Sequence, residues 1–148
     1  MKKYVLDTNL YIRAFRSRQG ADALQQYLLV FTPNTYLSSI VLHELLVGAN
    51  TQAKAREIED RIAGPLRRVG RIITPSHDAW RLAGIAVSQF AKKEKRELRS
   101  IPKSLVNDFL LAASCRESGA TLLTANSADY ESLSKYVPVS YESWNGAS

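Results

Sequence analysis

The start of the chain is a short apolar run that ends abruptly in three polar residues. Tyr4, Val5 and Leu6 are followed by Asp7, Thr8 and Asn9. The apolar run is typical of a buried strand, and the polar triplet favours a loop and helix N-cap, because such side chains satisfy free backbone N–H groups. In open α/β sheets, ligands bind at the carboxyl ends of the strands. We therefore expect Asp7 at such an end, either as a simple cap or as part of a site.

Helical and strand-like patterns alternate along the rest of the chain. Further strands are predicted at 35–38, 71–74, 121–124 and, at a sheet edge, 137–140. Helices are predicted near 10–15, 21–31, 40–49, 51–62, 76–94, 105–118 and 126–133. This alternation predicts a single α/β domain with three layers, α/β/α, around a central, mostly parallel sheet of about five short strands.

Local signals predict where several helices begin, end and face the core. Gly64 and Pro65 are expected to end the polar helix at 51–62. Ser104 is expected to cap the helix at 105–118, and Gly119 to end it. The helix at 76–94 carries a stripe at helical spacing that we expect to face the core. Its members are Trp80, Ala83, Gly84, Val87 and Ala91.

Composition limits the kind of metal and the compartment. The chain contains one cysteine, Cys115, and two histidines, too few for the usual four-ligand zinc site. Any metal would be held by oxygen, which favours Mg²⁺ or Mn²⁺. No stretch approaches the roughly 18 apolar residues of a membrane span, and the start does not resemble a secretory signal. We therefore expect a cytoplasmic protein that has no membrane contact.

The chain is basic, with a formal net charge of +6. A positive charge suits a polyanionic partner, because phosphate contacts come mainly from Lys and Arg, although a basic cluster can also be a solvated surface. One group of basic residues follows the Asp7 loop, and another leads into the helix at 105–118. The candidates for binding a polyanion are Arg13, Arg16, Lys92, Lys93, Arg96, Arg99 and Lys103.

Three further acids lie at unusual positions. Glu44 falls in the most apolar helix, and Asp108 lies on the apolar stripe of its own helix. Burial of an unpaired carboxylate costs several kcal/mol. A divalent cation would offset that cost for both. Asp129 follows the strand at 121–124 as Asp7 follows the first strand, and Asn126 lies in the same loop.

The chain resembles the PIN-domain family, and within it the VapC-type toxins of bacterial toxin–antitoxin pairs. Four motifs, in order and spanning nearly the whole chain, carry the resemblance. They are Val5-Leu6-Asp7-Thr8-Asn9, the segment at 39–48 around His43-Glu44, Asn107-Asp108 with the apolar residues that follow, and the segment at 122–130 that contains Asn126 and Asp129.

The resemblance implies a Mg²⁺- or Mn²⁺-dependent endoribonuclease whose products carry a 5′-phosphate and a free 3′-hydroxyl. Asp7 and Asp108 would be the main metal ligands, and Glu44 and Asp129 would hold a second metal or its waters. Thr8, Asn9 and Asn126 would support these ligands. Some relatives place an acid where Asn126 stands, so Asp129 is the fourth acid only if the later position is used here.

The resemblance also implies the boundaries of the domain and its binding partners. The PIN-like nuclease domain would span residues 1–140, and 141–148 would be a short C-terminal tail. A small cognate antitoxin would bind across the acidic cleft with an arginine or another basic side chain, and the chain would form a homodimer.

Two other functions remain open at this point. A structure-specific DNA nuclease shares the acidic cluster, although such enzymes usually need added elements for which 148 residues leave little room. A catalytically silent, receiver-like binding module would need fewer acids. A phosphatase of the haloacid dehalogenase type is disfavoured because Asn9 stands where a second Asp is expected. His43 is expected to be structural rather than a general base.

Overall fold

The structure is a computed structural model that describes residues 2–144, with only the backbone described for 29–32. Within these residues a five-stranded sheet has the order β3-β2-β1-β4-β5, and every neighbouring pair is parallel. The strands are β1 (Lys3–Leu6), β2 (Thr35–Ser38), β3 (Ile72–Ile73), β4 (Ala120–Thr124) and β5 (Tyr141–Ser143). The prediction of one α/β domain with a central parallel sheet is therefore confirmed.

Helices connect all of the strands. They are α1 (Thr8–Arg16), α2 (Arg18–Phe31), α3 (Ser39–Val47), α4 (Gln52–Ile58), α5 (Gly64–Arg68), α6 (His77–Lys93), α7 (Lys103–Ser118) and α8 (Ser127–Leu133). Because parallel crossovers are right-handed, α1 to α5 cover one face of the sheet and α6 to α8 the other. No described helix is long and apolar enough to cross a membrane.

The order of the strands creates a switch point between β1 and β4. The chain leaves β1 toward β2 and β3, then returns to pair β4 with the other side of β1. Leu6 pairs with Leu123, so the carboxyl ends of β1 and β4 lie side by side. In such sheets the crevice at the switch point is where ligands bind. Asp7 and the loop after β4 both lie at this crevice.

The helix predicted at 51–62 does not stop at Gly64-Pro65. Helix α4 continues through a π-helical turn, Glu59–Ala63, directly into α5. The N–H of Gly64 bonds to the Glu59 carbonyl, five residues earlier, and a Cβ at position 64 would lie only 2.9 Å from that oxygen. Pro65 falls in the first turn of α5, where a missing N–H costs little. Glycine and proline here fit a wide turn rather than ending the helix.

The stripe predicted on helix α6 is confirmed in part. Ala83 and Ala91 are buried and Val87 is half-buried, but Trp80 is 60% exposed and Gly84 is exposed. Ala79 and Ala86, which lie outside the predicted stripe, are buried instead. The helix is apolar on more than one side, so two stripes at helical spacing compete. The alanine stripe faces inward because its small side chains allow α6 to pack closely against α7.

Two other boundaries also differ from the prediction. Helix α7 begins at Lys103 with Pro102 as its N-cap, so Ser104 lies in the first turn rather than capping it. The last strand is Tyr141–Ser143 instead of 137–140, because Val137 still closes the turn after α8 and Pro138 lacks the N–H that a sheet requires.

Gly119 ends α7 with a left-handed φ of 69°, as predicted. Cys115 is buried in the core, also as predicted.

The predicted division into residues 1–140 and a tail at 141–148 stays a prediction. Part of that tail belongs to the sheet, since β5 pairs with β4. Trp144 then packs against Tyr27, with ring centroids 4.8 Å apart. Residues 145–148 lie outside the described residues.

Candidate active site

The acids predicted from the sequence line one pocket of about 310 Å³ at the switch point. The pocket walls come from the end of β1, the start of α1, and helices α3, α7 and α8. Its lining residues are Asp7, Thr8, Asn9, Ile12, Glu44, Ser104, Asp108, Asn126, Asp129 and Tyr130. We call this cavity the acidic pocket. The structure thus brings the four predicted acids together with Asn9 and Asn126, while the roles assigned to them stay predictions.

Asp7 is the most deeply buried of the acids, at 5% exposure. Its Oδ2 accepts a hydrogen bond from the Thr124 hydroxyl at 2.9 Å, and its Oδ1 accepts one from the Thr8 N–H at 2.8 Å. The Asp7 N–H donates to the Leu123 carbonyl at 2.9 Å, which continues the pairing of β1 with β4. The carboxylate is therefore held in one orientation by the end of β4 and the start of α1.

Glu44 and Asp108 reach the pocket from two helices on opposite faces of the sheet. The Thr8 hydroxyl donates to Glu44 Oε1 at 2.8 Å, which connects α1 to α3. Tyr130, itself almost fully buried, donates from its hydroxyl to Asp108 Oδ1 at 3.3 Å. Asp129 is exposed and lies in the first turn of α8, whose N-cap is Asn126. Each acid thus belongs to a different element of the fold.

Crowding of these carboxylates alters their protonation. Burial, together with the charges of Asp7, Glu44 and Asp129, raises the pKa of Asp108 to about 7. Burial raises the pKa of Asp7 as well, although the hydrogen bonds from Thr124 and Thr8 oppose the rise. Burial and the nearby Asp7 and Asp108 raise the pKa of Tyr130 well above its ordinary value. Tyr130 therefore stays a hydrogen-bond donor to Asp108 across the physiological range.

The raised pKa of Asp108 predicts that the metal-free protein loses stability as the pH rises. Below pH about 4 Asp108 is protonated in both the folded and the unfolded chain. Between pH about 4 and about 7 the unfolded chain releases its proton first, so the free energy of unfolding falls. The loss, complete above pH 7, is at most about 4 kcal/mol, because water reaches the pocket and screens the charges.

Urea unfolding in EDTA, from pH 4.5 to 8, would measure this loss. Other groups titrate in the same range, so the comparison is with Asp108→Asn, whose free energy of unfolding should fall less over that interval. Parallel pH profiles for the two proteins would contradict the expectation.

The donor set of the acidic pocket fits a hard divalent cation. Its possible ligands are carboxylate and amide oxygens, which Mg²⁺ and Mn²⁺ prefer. A cation would offset both the burial of Asp108 and the repulsion by its neighbours, which together raise its pKa. Among residues 2–144, no three His, Cys, Asp or Glu side chains form a ready-made metal cage. Mg²⁺ usually keeps several waters in protein sites and is held by only one or two carboxylates, which the acids of the pocket can supply.

The predicted RNA-binding residues lie outside the acidic pocket. Arg13 and Arg16 are exposed in the last turn of α1, and Arg16 lines a neighbouring groove. Arg96 donates to the Ser100 carbonyl at 2.7 Å, and Arg99 pairs with Glu97 at 2.8 Å, so both also shape their own loop. The remaining candidates are also exposed: Lys92 and Lys93 lie in the last turn of α6, and Lys103 is the first residue of α7.

Three residues of the site were not predicted as functional: Thr124, Tyr130 and Ser104. Thr124 ends a buried strand and Tyr130 follows Asp129, so both resemble ordinary core residues in the sequence. Their contacts with Asp7 and Asp108 depend on the pairing of β1 with β4 and on the packing of α8 against α7. His43, adjacent to Glu44, is exposed and does not line the pocket.

A family model of the PIN domain matches residues 4–135. No curated protein matches the chain. Among solved structures, the chain resembles the DNA-bound VapBC complex from Salmonella typhimurium at 21% identity and a TM-score of 0.69, covering 97% of this chain and 99% of that chain.

Two other solved structures are similar over nearly their full length. VapBC2 from Rickettsia felis, bound to a DNA fragment from the promoter, is 26% identical, with a TM-score of 0.65 and coverage of 96% and 98% of the two chains. VapBC-1 from nontypeable Haemophilus influenzae is 22% identical, with the same TM-score of 0.65 and coverage of 95% and 97%. These likenesses establish the shared fold.

Proposed function

Because the chain belongs to the PIN domain family, whose members are generally nucleases, we propose that it is a metal-dependent endoribonuclease and the toxin of a toxin–antitoxin pair. The observation that carries the proposal is the convergence of Asp7, Glu44, Asp108 and Asp129 in one pocket at the switch point of the sheet. Carboxylates alone would repel the phosphates of RNA, so cleavage of RNA at this pocket requires a cation among the acids.

In this proposal Asp7 and Asp108 are the main metal ligands, and Glu44 and Asp129 hold a second cation or its waters. Mg²⁺ or Mn²⁺, when bound, lowers the pKa of a water molecule and stabilises charge on the phosphate. Thr124 and Thr8 hold Asp7 in its orientation, and Thr8 also holds Glu44. The exposed basic side chains would contact the phosphates on either side.

The test is cleavage of an end-labelled single-stranded RNA by the purified chain in Mg²⁺, in Mn²⁺ and in EDTA. We expect cleavage with either metal, none in EDTA, and products with a 5′-phosphate. An Asp7→Asn variant purified in the same way excludes a contaminating nuclease. A branched DNA substrate tests the alternative: preferential cleavage of that DNA would replace RNA as the substrate. Failure to bind either metal would overturn the proposal.

A groove beside the acidic pocket supports the antitoxin part of the proposal. It measures about 330 Å³, lies between α1, α3 and α4, and shares Ile12 and Glu44 with the acidic pocket. Its apolar lining includes Phe15, Leu45 and Ile58. An amphipathic segment of the antitoxin would lay its apolar face here and extend a basic side chain into the acidic pocket. The similar structures from Salmonella typhimurium and Rickettsia felis are themselves complexes.

Gly48→Leu would fill this groove. The position is exposed, and a Cβ there meets only ordinary contacts, the nearest at 3.5 Å, so the fold should tolerate the change. Overpacking typically costs about 1–3 kcal/mol, which predicts at least a fivefold weaker complex with a small antitoxin encoded beside this chain. Titration calorimetry measures the affinity, and RNA cleavage by the free variant is the control. Unchanged affinity would place the antitoxin elsewhere.

The homodimer and the cytoplasmic location stay predictions.

A further inference from the structure

A second cavity adjoins the acidic pocket. It has a volume of about 410 Å³ and lies between the end of α6, the start of α7 and helix α8. Ser104, Asp108 and Asp129 line both cavities, so a group bound in the second cavity would lie directly beside whatever the acids hold. We call it the side pocket. The proposed cleavage chemistry does not use it.

The side pocket combines an aromatic and aliphatic wall with a polar rim. Phe90 is half-buried, and its ring is fixed by Phe109 at 5.6 Å and Tyr136 at 5.7 Å between centroids. Glu94 follows Phe90 by one helical turn and is exposed. The full lining is Phe90, Glu94, Ser104, Leu105, Asp108, Phe109, Asp129, Ser132 and Leu133. A flat ring could therefore rest against Phe90 and place its edge among hydroxyls and carboxylates.

Resting on the proposed function, we propose that the side pocket binds the base of a nucleotide next to the phosphate that the acids hold. Three carboxylates in the lining exclude a phosphate, whereas an uncharged aromatic ring suits the Phe90 surface. A carboxylate only accepts hydrogen bonds, so Glu94 favours a base that carries an amino group. Cytosine, adenine and guanine carry one and uracil does not.

The surrounding charges are consistent with this occupant. Lys92 and Lys93 immediately precede Glu94, and Lys103 immediately precedes Ser104; all three lysines are exposed. Phosphates on either side of the bound base would therefore lie near positive charge. The base itself would lie against the apolar residues of the side pocket. Recognition of a base between two phosphates would explain why Glu94 lies among exposed lysines.

Phe90→Leu tests the stacking. Leucine keeps an apolar side chain against Phe109 but removes the ring face, and we expect about a tenfold rise in KM with little change in kcat. The same loss is expected in affinity for an RNA with a non-hydrolysable linkage at the cleavage site, measured by fluorescence anisotropy in Mg²⁺. Trp80→Leu, a change at an exposed aromatic side chain on the same helix that lines neither cavity, is the matched control and should leave both values unchanged.

A modified RNA identifies the base directly. Once the cleavage site is mapped, each flanking nucleotide is replaced in turn by an abasic one. At one of these positions the abasic RNA should bind the wild-type protein about tenfold more weakly, and Phe90→Leu should cause no further loss on that RNA. Additive losses would mean that Phe90 and the base do not touch, which would overturn the proposal.

Glu94→Gln provides a second, exposed variant that does not disturb the core. An amide can donate as well as accept, so the preference for an amino-bearing base over uracil should fall by about tenfold while the melting temperature stays the same. Unchanged preference in Glu94→Gln together with unchanged KM in Phe90→Leu would overturn the side pocket alone. Weakened binding of the antitoxin instead of RNA would assign the pocket to the partner. A wild-type protein that neither cleaves nor binds RNA would overturn the proposed function as well.

Discussion

Asp108→Asn should reduce RNA cleavage by at least about a hundredfold while making the metal-free protein more stable. Loss of residues that only support a metal site typically costs 10- to 100-fold, so loss of a proposed direct ligand should cost no less. The gain in stability follows from burial and charge: burial, together with the three other acids, raises the pKa of Asp108 to about 7. A neutral amide of nearly the same shape removes that repulsion and can still accept the Tyr130 hydrogen bond.

The opposite signs of the two effects make this a sharp test. At pH 8 in EDTA, the free energy of unfolding should rise by about 1–4 kcal/mol, measured by urea denaturation. The same gain should shrink when Mg²⁺ or Mn²⁺ is added, because a bound cation stabilises only the wild-type cluster. Asp22→Asn, on the exposed surface of α2, is the control and should change neither quantity. A variant that is both inactive and destabilised would indicate that Asp108 has a structural role.

The positions of the acids could be predicted because each is marked by a local pattern. Asp7 ends an apolar strand, and Asp108 interrupts an apolar helical stripe that Gly119 terminates. Both signals come from the cost of burying a charge and from backbone conformation, which are properties of a few neighbouring residues. The parallel sheet then brings the ends of its strands together, so the cluster follows once the order of β1 and β4 is assumed.

The features that could not be predicted depend on competition between alternatives of similar energy. Helix α6 offers both a Trp80 stripe and an alanine stripe, and only the close fit against α7 selects the second. Gly64 and Pro65 are common helix terminators, and only the π-helical turn before them allows the chain to continue as a helix. Thr124 and Tyr130 have no chemical signal until the acids that they contact are in place.

The same dependence on neighbours makes Thr124 the second test. Thr124 is fully buried; its hydroxyl donates to Asp7 Oδ2 at 2.9 Å and accepts from the Asn126 N–H at 2.9 Å. Valine has nearly the same shape but offers neither bond, so Thr124→Val leaves two groups unsatisfied. Because each buried unsatisfied group costs about 1–3 kcal/mol, we expect the free energy of unfolding to fall by about 3 kcal/mol. Cleavage should fall by about 10- to 100-fold, since Asp7 would no longer be held in position.

The pH dependence of cleavage distinguishes positioning of Asp7 from simple loss of stability. The Thr124 hydroxyl lowers the pKa of Asp7, against the larger effect of burial. Its removal should raise that pKa, so Asp7 would bind a proton at a pH where the wild-type residue is ionised and able to bind a cation. The acidic limb of the pH–rate profile should therefore move to higher pH in Thr124→Val, and part of the lost activity should return as the pH is raised. Thr124→Ser keeps the hydroxyl and should retain the wild-type profile; if it shifts as far as the valine variant, the packing of the methyl group matters instead of the hydrogen bond to Asp7.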